Sequence, residues 1–189
     1  MADNKCTRLV THLYSGMSTI TREMGFRRLG VIESSYLFDD LMVEVIADSK
    51  HLPPILLKLI LKHKGSDNIC LITDAMRAAG LGEGESYLGK KGEEVKCIVE
   101  DGVAKLLDRS AFAGSVATAD MLIKTFVKNV GVSVEESVKM LTKNPAKIMG
   151  LTNKGDIIKG YDSDFVIFDD DINIKNVIVR GKELKDYEN

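Results

Sequence analysis

The sequence predicts an α/β fold, with strands and helices alternating over residues 1–150 and a β tail over 151–189. Three observations carry that reading. Val43-Glu44-Val45-Ile46-Ala47 and Ile69-Cys70-Leu71-Ile72-Thr73 are short apolar runs flanking a helical pattern, which makes a βαβ unit with parallel strands. The strands end in residues with chemistry: His12 after Leu9-Val10-Thr11, Asp48 and His51 after the second run, Asp74 after the third. Ligands and catalytic groups of α/β folds gather at the C-terminal ends of parallel strands. Finally, 164–169 and 176–179 read as tail strands, the second ending on the turn Arg180-Gly181-Lys182.

The remaining elements follow in order. After the first strand a polar loop runs from Tyr14 to about Gly25, and 36–42 reads as a short helix. Pro53-Pro54 opens the next helix, because proline is tolerated in the first helical turn. Its apolar residues Ile55, Leu56, Leu59 and Ile60 recur at helical spacing, with Lys58, Lys62 and Lys64 outside, and Gly65 ends it. Past Asp74 the run Ala79-Gly80-Leu81-Gly82-Glu83-Gly84 is a loop. The segments 95–99 and 103–107 form a hairpin across Glu100-Asp101-Gly102, since Asp-Gly favours a tight turn. Ser110-Ala111-Phe112-Ala113-Gly114-Ser115 suits either close packing beside a ligand or a tight turn. A helix over 117–129 carries Met121, Leu122 and Phe126 on one face. Ser133 and Glu136 form a capping box for the next helix, and Asn144-Pro145 starts a short one.

Composition narrows the function classes. The net charge is −2, and no basic patch or polybasic run points to nucleic acid or a membrane surface. No apolar run reaches the roughly 18–20 residues that span a bilayer. The first residues lack the apolar core of a signal peptide, and the three cysteines, Cys6, Cys70 and Cys97, form no CxxC pair. Reduced thiols in a cytoplasmic protein are the expectation, with Cys70 a core residue.

The strand ends carry the chemistry. His12 suits a metal ligand, a proton shuttle or a satisfied core residue. His51 suits substrate contact or ligation, and His63, among lysines at a helix end, a solvated residue favourable to the helix dipole. Asp74 suits a general base beside a metal, or a cap for the loop that follows it. A catalytic zinc needs about three protein ligands and a water. There is no HxH, HExxH or CxxC here, so spacing alone does not make a metal site.

Five segments in register resemble the N-acetylglucosamine-6-phosphate deacetylase family. They are Thr11-His12-Leu13-Tyr14-Ser15-Gly16-Met17, Arg22-Glu23, Ile46-Ala47-Asp48-Ser49-Lys50-His51, Leu71-Ile72-Thr73-Asp74-Ala75 and Phe112-Ala113-Gly114-Ser115. The tail from Gly155 to Asp169 resembles the closing segment of the wider amidohydrolase superfamily. The resemblance covers nearly all of this chain but only the C-terminal half of the family's protein.

The resemblance implies the C-terminal part of a metal-dependent (β/α)8 TIM-like barrel, with the last three barrel strands in 1–150. Residues 151–189 would be C-terminal strands of a small β-sandwich domain. It implies removal of the acetyl group from N-acetylglucosamine 6-phosphate. His12 matches a ligand of a divalent metal, zinc first and iron as the alternative, one or two per complete site. Asp74 matches the carboxylate that takes a proton from metal-bound water and returns it to the leaving amine. His51 matches a substrate-binding His, and Phe112 and Ala113 fall in a substrate-contacting segment. Arg22 matches an Arg that reaches the sugar phosphate in the neighbouring subunit, which implies a homodimer with a shared site. Backbone amides at Ser15 and Gly16 match phosphate contacts, although the family usually has Asn-Ala there. The family's other ligands lie in an N-terminal half, so this chain alone is expected to be inactive or nearly so. Two further readings are an amidohydrolase for another amide or cyclic amide, and a non-catalytic chain that associates through an open barrel edge.

Overall fold

The computed structural model describes residues 8–184. Cys6 lies outside them. Strand β1 (Leu9–Val10) is followed by a hairpin of β2 (Thr21–Glu23) and β3 (Phe26–Arg28), then helix α1 (Val31–Leu37) and strand β4 (Met42–Ile46). Helix α2 (Pro54–Lys64) and strand β5 (Ile69–Ile72) complete the first layer. The expected βαβ unit is present: β1, β4 and β5 lie parallel in that order, with Leu9 beside Met42 and Val43 beside Ile69.

Alternation along β4 sends its residues to two faces. Val43 and Val45, both fully buried, pack with Leu57 and Ile60 of α2 and with Leu122, Phe126 and Met140 further on. Burying each such side chain contributes about 1.5–3 kcal/mol. Glu44 points to the opposite face, in register with Cys70 of β5.

Several expectations need correction in this layer. The loop of residues 14–25 contains most of a hairpin. Met24 and Gly25 take positive φ (48° and 88°), the geometry of a two-residue turn, and the flanking strands are too polar to show alternation. The helix placed at 36–42 lies at Val31–Leu37 instead, where Glu33 reaches back to accept the Gly30 amide at 2.9 Å and fixes its start. On α2 the inward face is Leu57, Ile60 and Lys64, while Ile55 and Leu59 are exposed. Lys64 is buried because its Nζ donates to the carbonyls of Ser35 (3.0 Å) and Phe38 (2.8 Å), closing the end of α1. His63 is exposed, with its ring edge-on to Tyr36.

The second layer is a four-stranded antiparallel meander of β6 (Gly84–Leu88), β7 (Val95–Glu100), β8 (Val103–Leu106) and β9 (Phe112–Gly114). The expected β7–β8 hairpin turns at Asp101 and Gly102, φ 55° and 74°, a conformation glycine adopts without penalty. β6 and β9 are additions to the sequence reading: the glycine run ends in a strand, and Phe112-Ala113-Gly114 pairs with β8. Cys97, Val99, Ala104 and Ala113 form the small core of this sheet. After β9 the chain returns to the parallel sheet, where Ala75 and Ser115 form a parallel bridge.

The third layer is helical, with α3 (Ala119–Thr125), α4 (Val134–Leu141) and α5 (Lys143–Ile148). The predicted helix at 117–129 is α3 continued by a wider π turn at Phe126–Val130, and Met121 faces away from buried Leu122 and Phe126. Ser133 caps α4 by accepting the Glu136 amide at 3.2 Å. The return half of the expected capping box is absent, because Glu136 Oε1 accepts from Ser66.

Strands β10 (Phe165–Phe168), β11 (Ile174–Val179) and β12 (Lys182–Glu183) form an antiparallel tail sheet. A groove of about 870 Å³ lies between this sheet and α3–α5, lined by Ile123, Val138, Ala146, Phe165, Ile172 and Val177 among others. None of the strand-end His and Asp residues lines it. No helix among the described residues is long and apolar enough to cross a membrane.

Candidate functional site

The parallel order β1-β4-β5 brings the candidate residues to one edge. His12 follows β1, Asp48 and His51 follow β4, and Asp74 follows β5, all at the C-terminal ends of neighbouring strands. Phe112, half exposed at the start of β9, packs edge-on against the His51 ring with centroids 5.0 Å apart. Ala113 beside it is buried in the small sheet core.

Three of these rim turns hold a non-glycine residue at positive φ: His12 at 26°, Ser49 at 61° and Asp74 at 45°. Tyr14, in the same turn as His12, sits at 79°, and its hydroxyl is 3.0 Å from that of Tyr36. Such conformations are costly for residues with a Cβ and persist where surrounding contacts hold them.

Below His12 the anchoring group is Glu44. Its Oε2 accepts the Thr11 hydroxyl at 2.6 Å and the His12 amide at 3.3 Å, while its carbonyl accepts the Leu13 amide at 2.9 Å. The sequence reading did not mark Glu44 as part of the site. The signal was there: one carboxylate at the centre of a five-residue apolar strand. Burial, with the neighbouring Glu44 charge, pushes the Cys70 thiol up to about 11, so Cys70 is an inert core thiol.

Asp48 is the second group the reading undervalued. Its side chain is wholly buried; Oδ1 accepts the amides of Lys50 and His51, each at 2.8 Å, and Oδ2 lies 2.7 Å from His51 Nδ1. Burial alone raises the Asp48 pKa, but the hydrogen bonds from His51 and Lys50 outweigh it and hold the carboxyl below its usual range. The Asp-x-x-His spacing after a strand was the legible clue.

Asp74 is exposed, and the chain beyond it is pinned by the Met76 amide donating to the Ser115 carbonyl at 2.9 Å. In the turn after β1 the Ser15 amide already donates to the His12 carbonyl at 2.9 Å, so it is engaged rather than free for a ligand. Gly16 is exposed at φ 63°. Arg22 is exposed on β2, directly opposite Arg27 of β3.

The donors present do not make a whole metal centre. His12 Nδ1 is buried and has no hydrogen-bond partner, unlike a satisfied core His, which would donate or accept there. Asp74 adds one carboxylate. Imidazole and carboxylate suit zinc or iron. Among the described residues, however, no group of three His, Cys, Asp or Glu could hold a metal ion. Among the described residues the expected metal site is therefore incomplete.

A parallel βα layer with His and Asp residues on its C-terminal rim defines an enzyme scaffold of the barrel type. The amidohydrolase family model matches residues 2–184, and the chain belongs to that family of metal-dependent hydrolases. It is 37% identical over 172 residues to the N-acetylglucosamine-6-phosphate deacetylase of Lysinibacillus sphaericus, covering 91% of this chain and 42% of that protein. The Thermotoga maritima N-acetylglucosamine-6-phosphate deacetylase superposes with a TM-score of 0.82 at 32% identity, over 93% of this chain and 46% of that one. The Mycobacterium smegmatis deacetylase, solved with N-acetyl-D-glucosamine 6-phosphate, gives 0.81 at 28%, over 93% and 45%. The expected resemblance and fold class are thus borne out. The chain spans less than half the length of these relatives.

Proposed function

We propose that this chain carries the C-terminal rim of a deacetylase that hydrolyses the acetamide of N-acetylglucosamine 6-phosphate to glucosamine 6-phosphate and acetate. One observation carries the reading: His12, Asp48 with His51, and Asp74 stand at successive C-terminal strand ends of one parallel sheet, in a chain 37% identical to such an enzyme. On this reading residues 1–150 belong to the barrel and 151–189 to a small β-sandwich domain, and the remaining strands and metal donors come from polypeptide that the relatives have and this chain does not match.

The residues divide the work as follows. His12 offers a ring nitrogen to a divalent metal, zinc first and iron second. Bound at the rim, such an ion would acidify water toward a pKa of about 7. Asp74, exposed after β5, accepts a proton from the attacking water and returns it to the departing amine, so one carboxylate serves both half-reactions. His51 contacts the substrate with half-exposed Phe112 beside it, while Ala113, buried in the small sheet core, supports Phe112 from behind. The exposed Gly16 amide and Arg22 address the phosphate, while the Ser15 amide holds the turn closed on His12. Arg22 faces Arg27 across the hairpin, a like-charge pair that a phosphate dianion would relieve. Arg22 is exposed on the β2–β3 arm, and the resemblance has it reach the phosphate in the neighbouring subunit of a homodimer. Such distant binding energy positions the reacting amide.

The test is amine release from N-acetylglucosamine 6-phosphate with added zinc. The chain is assayed alone and mixed with the N-terminal part of the Lysinibacillus sphaericus enzyme that it does not match. Release in the mixture, lost with Asp74→Asn, is the expected result. Release that survives Asp74→Asn, or that is equal for unphosphorylated N-acetylglucosamine, would remove the assignment.

A further inference from the structure

We infer that Asp48 is a positioning residue that keeps the His51 proton on Nδ1 and leaves Nε2 as the ring's working atom at the rim. The geometry admits little else. The Asp48 side chain is wholly buried, and Oδ1 is occupied by the amides of Lys50 and His51. Only Oδ2 remains for the ring, 2.7 Å from Nδ1. An ionised carboxylate only accepts, so Nδ1 must carry the hydrogen. The hydrogen bonds that hold Asp48 ionised are those same three contacts. Phe112, edge-on at 5.0 Å, packs against the imidazole and opposes its rotation. The neutral ring therefore presents a lone pair at Nε2.

That choice has a chemical consequence. A neutral His51 with a bare Nε2 accepts a hydrogen bond from a hydroxyl or amide N–H. The other tautomer would donate to a carbonyl oxygen. Asp48 thus selects which substrate atom His51 can address. This use of the ring rests on the proposed deacetylase reading; the tautomer does not.

Asp48→Asn separates the two states sharply. The two backbone amides still require an oxygen, so the new amide nitrogen must face Nδ1. It can only donate there, and the proton of His51 must move to Nε2. A carboxylate-to-amide change that traps the wrong tautomer is a known way to disable a catalytic imidazole.

The experiment is long-range 1H–15N correlation on the labelled chain, at a pH high enough to make the ring neutral. The sequence has only three His, at 12, 51 and 63, and a His51→Gln variant identifies the His51 signals. Nδ1–H in the wild type and Nε2–H in Asp48→Asn is the expected pair. Nε2–H in the wild type, or one tautomer in both proteins, overturns the inference. If Asp48→Asn does not fold, the wild-type spectrum decides alone. A mixture inactive on the sugar phosphate, with Nδ1–H observed, would fail the function and leave this inference standing.

Discussion

Glu44 accepts the Thr11 hydroxyl at 2.6 Å, joining the middle strand of the parallel sheet to the turn that bears His12. The same oxygen takes the His12 amide, so the carboxylate sets where that residue begins its turn at φ 26°. Glu44→Gln keeps an acceptor and should cost under about 1 kcal/mol, whereas Glu44→Ala removes both bonds to a charged acceptor and should cost about 1–3 kcal/mol. Urea unfolding of the variants measures both. Equal losses would mean that the strand, and not the hydrogen bonds, holds the turn.

Asn144 makes a sharper test of the helical layer. It is buried, and its Nδ2 donates to the carbonyls of Ser66 (2.7 Å) and Ile69 (2.6 Å), tying α5 to the start of β5. Asn144→Ala should lower stability by about 2 kcal/mol, because the buried Ile69 carbonyl and the part-buried Ser66 carbonyl lose their donor. Asn144→Asp should cost more, since a carboxylate facing two carbonyls is repelled by both. Denaturant midpoints that rank Asp above Ala would contradict these contacts.

Asp48 predicts an acid dependence with a definite sign. Its folded-state pKa is lowered, so the unfolded chain holds the proton more tightly. The stability it contributes is complete above its ordinary pKa of about 3.9 and is lost as pH falls through the folded value. The stability gap between wild type and Asp48→Asn should therefore shrink on acidification below about pH 4. Urea titrations at stepped pH follow it; a gap independent of pH would be the contrary result.

The β2–β3 hairpin should govern association. Met24 is 88% exposed and Phe26 74%, large apolar areas on a two-stranded arm. On the dimer reading these side chains are covered by the second copy. Light scattering should give twice the chain mass for the wild type and the single-chain mass for Phe26→Asp. A wild-type monomer would count against a shared site.

What the sequence revealed depended on the kind of signal. The βαβ unit was legible because Val43, Val45, Ile69 and Leu71 are apolar and bracket a proline-opened helix. The Asp101-Gly102 turn announced itself through residues suited to positive φ. The β2–β3 hairpin was not legible, because Thr21-Arg22-Glu23 is polar and entirely exposed, leaving no alternation to read. α1 was displaced because Gly30 offers no capping side chain, and the cap comes from Glu33 reaching backward. Lys64 was misassigned since lysine is usually exposed; the C-terminal end of α1, distant in sequence, supplies its partners. At the site, His12, His51 and Asp74 were visible as strand-end residues. Glu44 was overlooked because a strand carboxylate gains its meaning from the neighbouring strand.

The positive φ at Ser49 and Asp74 has a consequence for engineering. Asn or Gly would occupy these positions with less strain, so selection for expression or heat tolerance should enrich them there. At Ser49 that exchange retains the Asp48–His51 pair and is a sound route to a hardier protein. At Asp74 the same relaxation removes the carboxylate proposed as the proton carrier. On the deacetylase reading, a library scored on solubility alone would therefore accumulate well-behaved proteins without that carboxylate.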